Sequence, residues 1–198
     1  MRSVIEAENP GYLAGAGDVI VRKAGMRDIH PLLVLINAYA AKGIMLPRTE
    51  FEMSENIRDF TVVYEDSQLI GCGALHFYTP TTAEVRSLAV EPAQKSRGIG
   101  RIVIEFLEQE AIANELHAIF AFNYVPEFFQ KLGFAQVERG ELPLKAWRDC
   151  LRCAKFQCCD EIAMLKALVP EPVLSPVPDP ANFLVRLPQM VPASRGDQ

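Results

Sequence analysis

Apolar positions along this chain switch between two spacings, and the switches divide it into strands and amphipathic helices. Val19 to Arg22 reads as a short strand. Asp28 then stands where a helix cap belongs, ahead of a segment in which Ile29, Leu32, Leu33, Ile36 and Ala40 share one face. Pro31 falls in the first turn, where it is tolerated. Beyond Gly43, Thr49 and Glu52 have the spacing of a capping box, which predicts a second, short helix and leaves Arg48 on the loop before it. Phe60 to Glu65 and Gln68 to Tyr78 are β-rich segments joined by Asp66-Ser67, a hairpin pattern, and the strand AEVRSLAV from Ala83 follows in the same sheet. From Gly98 to Leu116 the residues Ile99, Ile102, Val103, Phe106, Leu107 and Ala111 return at helical spacing, while Glu105, Glu108, Gln109 and Glu115 are left to water. That is a sheet-covering helix. Ala118 to Phe122 predicts another strand, Pro126 to Leu132 a short helix and Phe134 to Glu138 a last strand. The order β-α-α-β-β-β-α-β-α-β belongs to an α/β layered domain.

The stretch from Ala83 to Gly100 carries the strongest chemical signal. Val85, Leu88 and Val90 mark the strand, Pro92 stops it, and Gly98 and Gly100 open the helix. Main-chain N–H groups are thereby set beside a strand end and at the positive end of a helix dipole, an arrangement able to hold a pyrophosphate. Lys95, Arg97 and Arg101 add charge nearby.

Composition narrows the function classes. With 198 residues, 49% of them hydrophobic and 23% charged, the chain has material for one well-buried core. A formal charge of -5 excludes a non-specific nucleic-acid binder, which needs a basic stripe, so any anion site is local. No apolar run approaches the roughly 20 residues that span a bilayer, and Met1 to Asp18 lacks a signal-peptide pattern. A cytoplasmic protein is expected. The expected organisation is an N-terminal extension over 1–18, a catalytic-sized domain over 19–168 with a cysteine-rich segment at 150–159, and a tail over 169–198. That tail holds seven of the fourteen prolines, which resist helix and central-strand pairing. Phe183, Leu184, Val185 and Leu187 offer apolar contacts that could pin part of it.

Three blocks in order, GCGAL at Gly71 to Leu75, VRSLAVEPAQKSRGIG at Val85 to Gly100 and FFQKLGF at Phe128 to Phe134, resemble the GNAT superfamily of acyl-CoA-dependent N-acetyltransferases. The likeness covers roughly Val19 to Glu138. The further blocks GIMLPR, ENIRDF, EVRSLAV and PLKAWRDC look like the short, single-domain amino-acid N-acetyltransferases of the N-acetylglutamate synthase type. The resemblance implies a mixed, mostly antiparallel central sheet flanked by helices, acetyl-CoA as donor, an amino-acid acceptor, most specifically L-glutamate, and no metal. A homodimer is compatible with it. It assigns the pyrophosphate to the turn Lys95, Ser96, Arg97, Gly98, Ile99 and Gly100, with Arg101 adjacent, and the pantetheine arm to Leu88, Ala89 and Val90 as a pseudo-strand. Three positions depart from the family pattern. Lys95 and Ser96 stand at the front of the turn where Arg or Gln and often Gly occur, and Phe129 replaces a tyrosine that in many members protonates the departing thiolate.

Acetyl transfer to an α-amine requires neutral nitrogen, and so a proton acceptor. Glu84, at the start of the fourth strand, is the nearest carboxylate to the acetyl site; it either acts as base through water or is a solvated strand-end group. Tyr124, just after the fifth strand, either protonates the thiolate or is a hydrogen-bonded wall residue. Asn123 either offers an amide to CoA or substrate or makes a turn contact. Two carboxylates on a glutamate acceptor suit arginine forks, for which Arg48 and Arg86 are the candidates and Lys145 a third; surface ion pairs are the competing role. Cys150, Cys153, Cys158 and Cys159 form C-x2-C-x4-C-C, which lacks the partner pair or histidine of a familiar zinc site and reads as thiols. Cys72, in an apolar strand, reads as a core residue. Acetylation of another small amine or a protein N-terminus, and a non-catalytic CoA- or metal-binding module, are the alternative readings.

Overall fold

The computed structural model describes residues 12–13, 19–142, 153, 155 and 158–174. In chain order these form β1 (Tyr12–Leu13), β2 (Val19–Lys23), α1 (Ile29–Ala40), α2 (Glu50–Asn56), β3 (Phe60–Glu65), β4 (Gln68–Phe77) and β5 (Thr82–Val90). They continue with α3 (Ile99–Ala113), β6 (Ala118–Asn123), α4 (Pro126–Gln130), β7 (Ala135–Gln136) and β8 (Ile162–Ala167). The strands make one mixed sheet in the order β1-β2-β3-β4-β5-β6-β8-β7, antiparallel between neighbours except for β5 and β6, which run parallel.

Helix α3 covers one face, where Ile99, Val103, Ile104, Leu107 and Ala111 pack on Val63, Ile70, Leu75, Val85 and Ile119. Helices α1 and α2 cover the other, with Leu32, Ile36, Tyr39 and Met53 against Val62, Cys72, Ala74 and Ala89. Two glycines of β4 let α3 lie this close. A Cβ on Gly71 would stand 2.6 Å from Ile99 Cγ2, and one on Gly73 2.7 Å from Val103 Cγ1. The β3–β4 turn places Asp66 and Ser67 at φ 46° and 67°, the left-handed pair of a type I′ hairpin. At α2 the expected capping box is present, Thr49 and Glu52 each bonding the other's backbone N–H at 2.9 and 3.2 Å.

Several elements differ from the sequence expectations. The buried face of α1 is Ile29, Leu32, Leu35, Ile36 and Tyr39, so Leu33 and Ala40 lie at its margins. The Asp28 side chain does not cap α1. Its carboxylate accepts from Arg22 at 2.7 and 2.8 Å, from the Gly25 N–H at 2.8 Å and from the Tyr64 hydroxyl at 2.9 Å. Helix α3 stops at Ala113 because Glu115 turns left-handed (φ 58°) and the N–H groups of Glu115 and Leu116 return to Ile112 and Ala111, a Schellman ending. Leu116 is buried without being helical. Strand β8 was not expected; it inserts between β6 and β7 and pairs with β6 from Asn123↔Ile162 to Ala118↔Ala167. Strand β1 likewise adds an edge from within the extension. Among the described residues no helix is long and apolar enough to cross a membrane.

Candidate active site

The sheet opens in its middle. Strands β5 and β6 pair only through Thr82↔Ala118, Ala83↔Ile119 and Glu84↔Phe120, after which β5 stays with β4 and β6 with β8. A bulge helps to turn β5 away: its register against β4 shifts between Ala74↔Arg86 and Cys72↔Ala89, and Ser87 takes φ 52°. The resulting gap is a cleft of about 940 Å³.

One end of the cleft is the glycine turn. After the single helical turn Pro92–Gln94, Ser96 (φ 66°) and Gly98 (φ 83°) are both left-handed, and α3 begins at Ile99. The two glycines serve different ends. A Cβ on Gly98 would meet nothing within 4 Å, so its requirement is conformational. A Cβ on Gly100 would stand 3.2 Å from Phe128 Cζ, so its requirement is room. The first-turn N–H groups of α3 have no earlier helical carbonyl to bond, which leaves them available to an anion. Lys95, Ser96, Gly98, Ile99, Gly100 and Arg101 all line the cleft. Lys95 Nζ lies 5.3 Å from the centre of the Tyr39 ring, whose hydroxyl donates to the Val90 carbonyl at 2.6 Å.

Two residues expected at the cofactor end have side chains engaged with the rest of the fold. Arg97 does not line the cleft: its guanidinium forks onto Glu65 at 2.7 and 2.8 Å and also meets Gln94, which ties the turn to the end of β3. The Ala89 side chain is buried in the core beneath α1, so position 89 can offer only main-chain groups. Leu88 and Val90 do line the cleft.

At the apex, where the parallel pairing ends, Glu84 is wholly buried and borders the cleft. Its cross-strand neighbour is His76, whose Nδ1 lies 2.6 Å from Asp59 Oδ2. Arg86 Nη2 stands 3.5 Å from the same oxygen, so this arginine reaches the cleft wall with a carboxylate already beside it. Arg48 borders the same cleft from the α1–α2 loop. The Asn37 side chain fixes that loop by bonding both the N–H and the carbonyl of Arg48 at 2.9 Å. Asn123 is held at both ends of its amide, accepting from the Val125 N–H at 2.8 Å and donating to the Ile162 carbonyl at 3.2 Å.

Tyr124 borders the cleft where β6 ends. Its hydroxyl donates to Asp160 Oδ1 at 3.0 Å and accepts from Lys155 Nζ at 3.3 Å. Burial raises its pKa, as does the Asp160 contact, while the Lys155 ammonium works the other way. Phe129 stays in the core, edge-on to Phe128 and Phe134. Cys72 is wholly buried, and burial pushes its thiol up to about 12. Cys153 and Cys159 line the cleft and Cys158 is exposed. Among the described residues no three His, Cys, Asp or Glu side chains are grouped to hold a metal ion. Lys145, Cys150, Phe183, Leu184, Val185 and Leu187 lie outside the described residues. No pattern in the sequence pointed to Tyr39, Ser87, Arg139, Lys155 or Asp160; the last two lie in a cysteine-rich stretch without periodicity.

A layered α/β domain, split between two parallel strands and with a glycine-opened helix at the mouth of the split, defines an enzyme class built for a phosphate-bearing donor. The chain belongs to the acetyltransferase (GNAT) family, whose model matches residues 33–134. It is similar to an uncharacterized N-acetyltransferase of Chlorobaculum tepidum, at 40% identity over 77% of this chain and 99% of the relative. It is similar also to an amino-acid acetyltransferase of Mycobacterium tuberculosis, at 32% identity over 60% of this chain and 70% of the relative. Among solved structures, N-acetylglutamate synthase from Neisseria gonorrhoeae complexed with coenzyme A and N-acetyl-glutamate superposes with a TM-score of 0.70 at 25% identity. That match covers 79% of this chain and 36% of the other. The protein is thus an N-acetyltransferase by family, with acetyl-CoA as its donor.

Proposed function

We propose that the protein transfers acetyl from acetyl-CoA to the α-amino group of an amino acid, with L-glutamate as acceptor, the reaction that opens arginine biosynthesis. The observation that carries this reading is that the glycine turn, Glu84, Tyr124 and the two arginines Arg48 and Arg86 all border one cleft. The relatives named as amino-acid acetyltransferases support the acceptor class, and the neighbour holding N-acetyl-glutamate supports glutamate.

In this reading the pyrophosphate sits on the first-turn N–H groups of α3, with Lys95 and Arg101 adding charge. The pantetheine arm follows the β5 edge that β6 leaves exposed. Arg48 and Arg86 hold the acceptor carboxylates, Asp59 keeping Arg86 oriented. Glu84, through water, takes the ammonium proton. The amine then attacks the thioester carbon, the N–C bond forms, the nitrogen releases its second proton to water, and the C–S bond breaks with its electron pair on sulfur. Tyr124, whose phenol is protonated at neutral pH, supplies the proton that neutralises this thiolate. Placing amine and thioester together in one cleft supplies much of the acceleration.

Incubation of the purified protein with acetyl-CoA and a panel of amino acids, with free thiol and acetylated product measured together, tests this. N-acetyl-glutamate forming faster than the other products is the expected result. Thiol release with a different acetylated amine would overturn glutamate while keeping the chemistry.

A further inference from the structure

The cysteine-rich stretch before β8 brings a charge pair to the cleft wall. Lys155 Nζ lies 3.0 and 3.1 Å from the two carboxylate oxygens of Asp160, 3.3 Å from the Tyr124 hydroxyl oxygen and 4.7 Å from the centre of the Tyr124 ring. Asp160 Oδ1 accepts the Tyr124 O–H at 3.0 Å. Ammonium, carboxylate and phenol close a triangle whose phenol member lines the cleft. The two charged side chains are 39% and 59% exposed. A lysine–aspartate pair this open contributes little to stability by itself. Its distinctive feature is that both partners converge on one phenol.

We propose that Lys155 and Asp160 are positioning residues for Tyr124, Asp160 holding the neutral phenol in place and Lys155 stabilising the phenolate that remains after proton transfer. This rests on Tyr124 being the proton donor to the leaving thiolate. When the C–S bond breaks, the Tyr124 O–H proton passes to sulfur and a phenolate remains. The Lys155 ammonium, already bonded to that oxygen, stabilises it, and the exposure of the pair lets the phenolate regain a proton from water. Asp160 accepts the O–H between turnovers and so holds the neutral phenol in place.

The surrounding charges agree with this division. Burial is the main influence raising the Tyr124 pKa; the Lys155 hydrogen bond lowers it, and Asp160 and Glu161 raise it. Cys153, Cys159 and Glu161 line the same wall. Arg139 reaches the Cys159 and Glu161 carbonyls from the neighbouring turn.

The test is the titration of Tyr124 in the full chain, followed by carbon-13 NMR of ring-labelled tyrosine and assigned by the signal lost in Tyr124→Phe. Lys155→Met is expected to raise the ionisation midpoint and Asp160→Asn to lower it. With acetyl-CoA and L-glutamate, Lys155→Met should lower kcat roughly tenfold with KM for acetyl-CoA within about twofold, and Lys155→Arg should recover most of the loss. Midpoints that stay at the wild-type value, with Tyr124→Phe slow, would overturn the role of the pair alone. A Tyr124→Phe enzyme with full kcat would overturn the donor assignment and the inference together.

Discussion

Asp28 has almost no surface, yet it is charged, and three donors from different parts of the chain account for that. Burial alone would push its carboxyl up; Arg22, the Gly25 N–H and the Tyr64 hydroxyl together hold it at about 2. Burial and the same carboxylate push Tyr64 up to about 12. Because the folded-state pKa lies below the ordinary 3.8, the stabilisation is fully present above about pH 4 and is lost as pH falls from there toward 2. Asp28→Asn should cost about 2–3 kcal/mol at pH 7, and its deficit relative to wild type should shrink in denaturant titrations at lower pH. Arg48, which borders the cleft, is proposed to hold an acceptor carboxylate. Arg48→Ala should raise the KM for glutamate by roughly 10–100-fold, the loss of one charge-assisted contact, while calorimetry gives an unchanged affinity for CoA. At Gly98 the requirement is a positive φ beside open space. Gly98→Val should therefore weaken CoA binding by at least about tenfold by misaligning the anion-binding N–H groups.

Helix α3 and strand β4 act as a unit because glycine at 71 and 73 lets the helix settle onto the sheet. Gly73→Val drives a branched side chain into Val103 and Leu107 and should destabilise by about 1–3 kcal/mol in chemical denaturation. The elements with a local signature were legible before the structure: the Asp66-Ser67 hairpin, the Thr49/Glu52 capping box, and the apolar face of α3 at Ile99, Val103, Leu107 and Ala111. Strand β8 was not. IAMLKA has no turn residues at its borders, and it becomes a strand because β6 and the short β7 offer it edges on both sides. The Asp28 cap was misread for a related reason. An N-cap preference is local, whereas the Arg22 and Tyr64 contacts that claim this side chain are tertiary.

For the molecule as a whole, the decisive feature is the divergence of two parallel strands, which makes a cleft bordered by the glycine turn, Arg48 and Arg86. The turn was legible in sequence because glycines, strand and helix are contiguous there. Gathering Glu84, Arg48, Arg86 and Tyr124 around one space is a product of topology, and the roles of Lys155 and Asp160 depend on a loop that returns from far along the chain. Donor and acceptor should therefore bind side by side. A bisubstrate molecule, coenzyme A joined through an S-acetyl bridge to the α-nitrogen of glutamate, tests this most directly by calorimetry. It should bind at least about 100-fold more tightly than coenzyme A, with most of the gain lost in Arg48→Ala. An affinity no better than that of coenzyme A would contradict a shared cleft and, with it, glutamate as the acceptor.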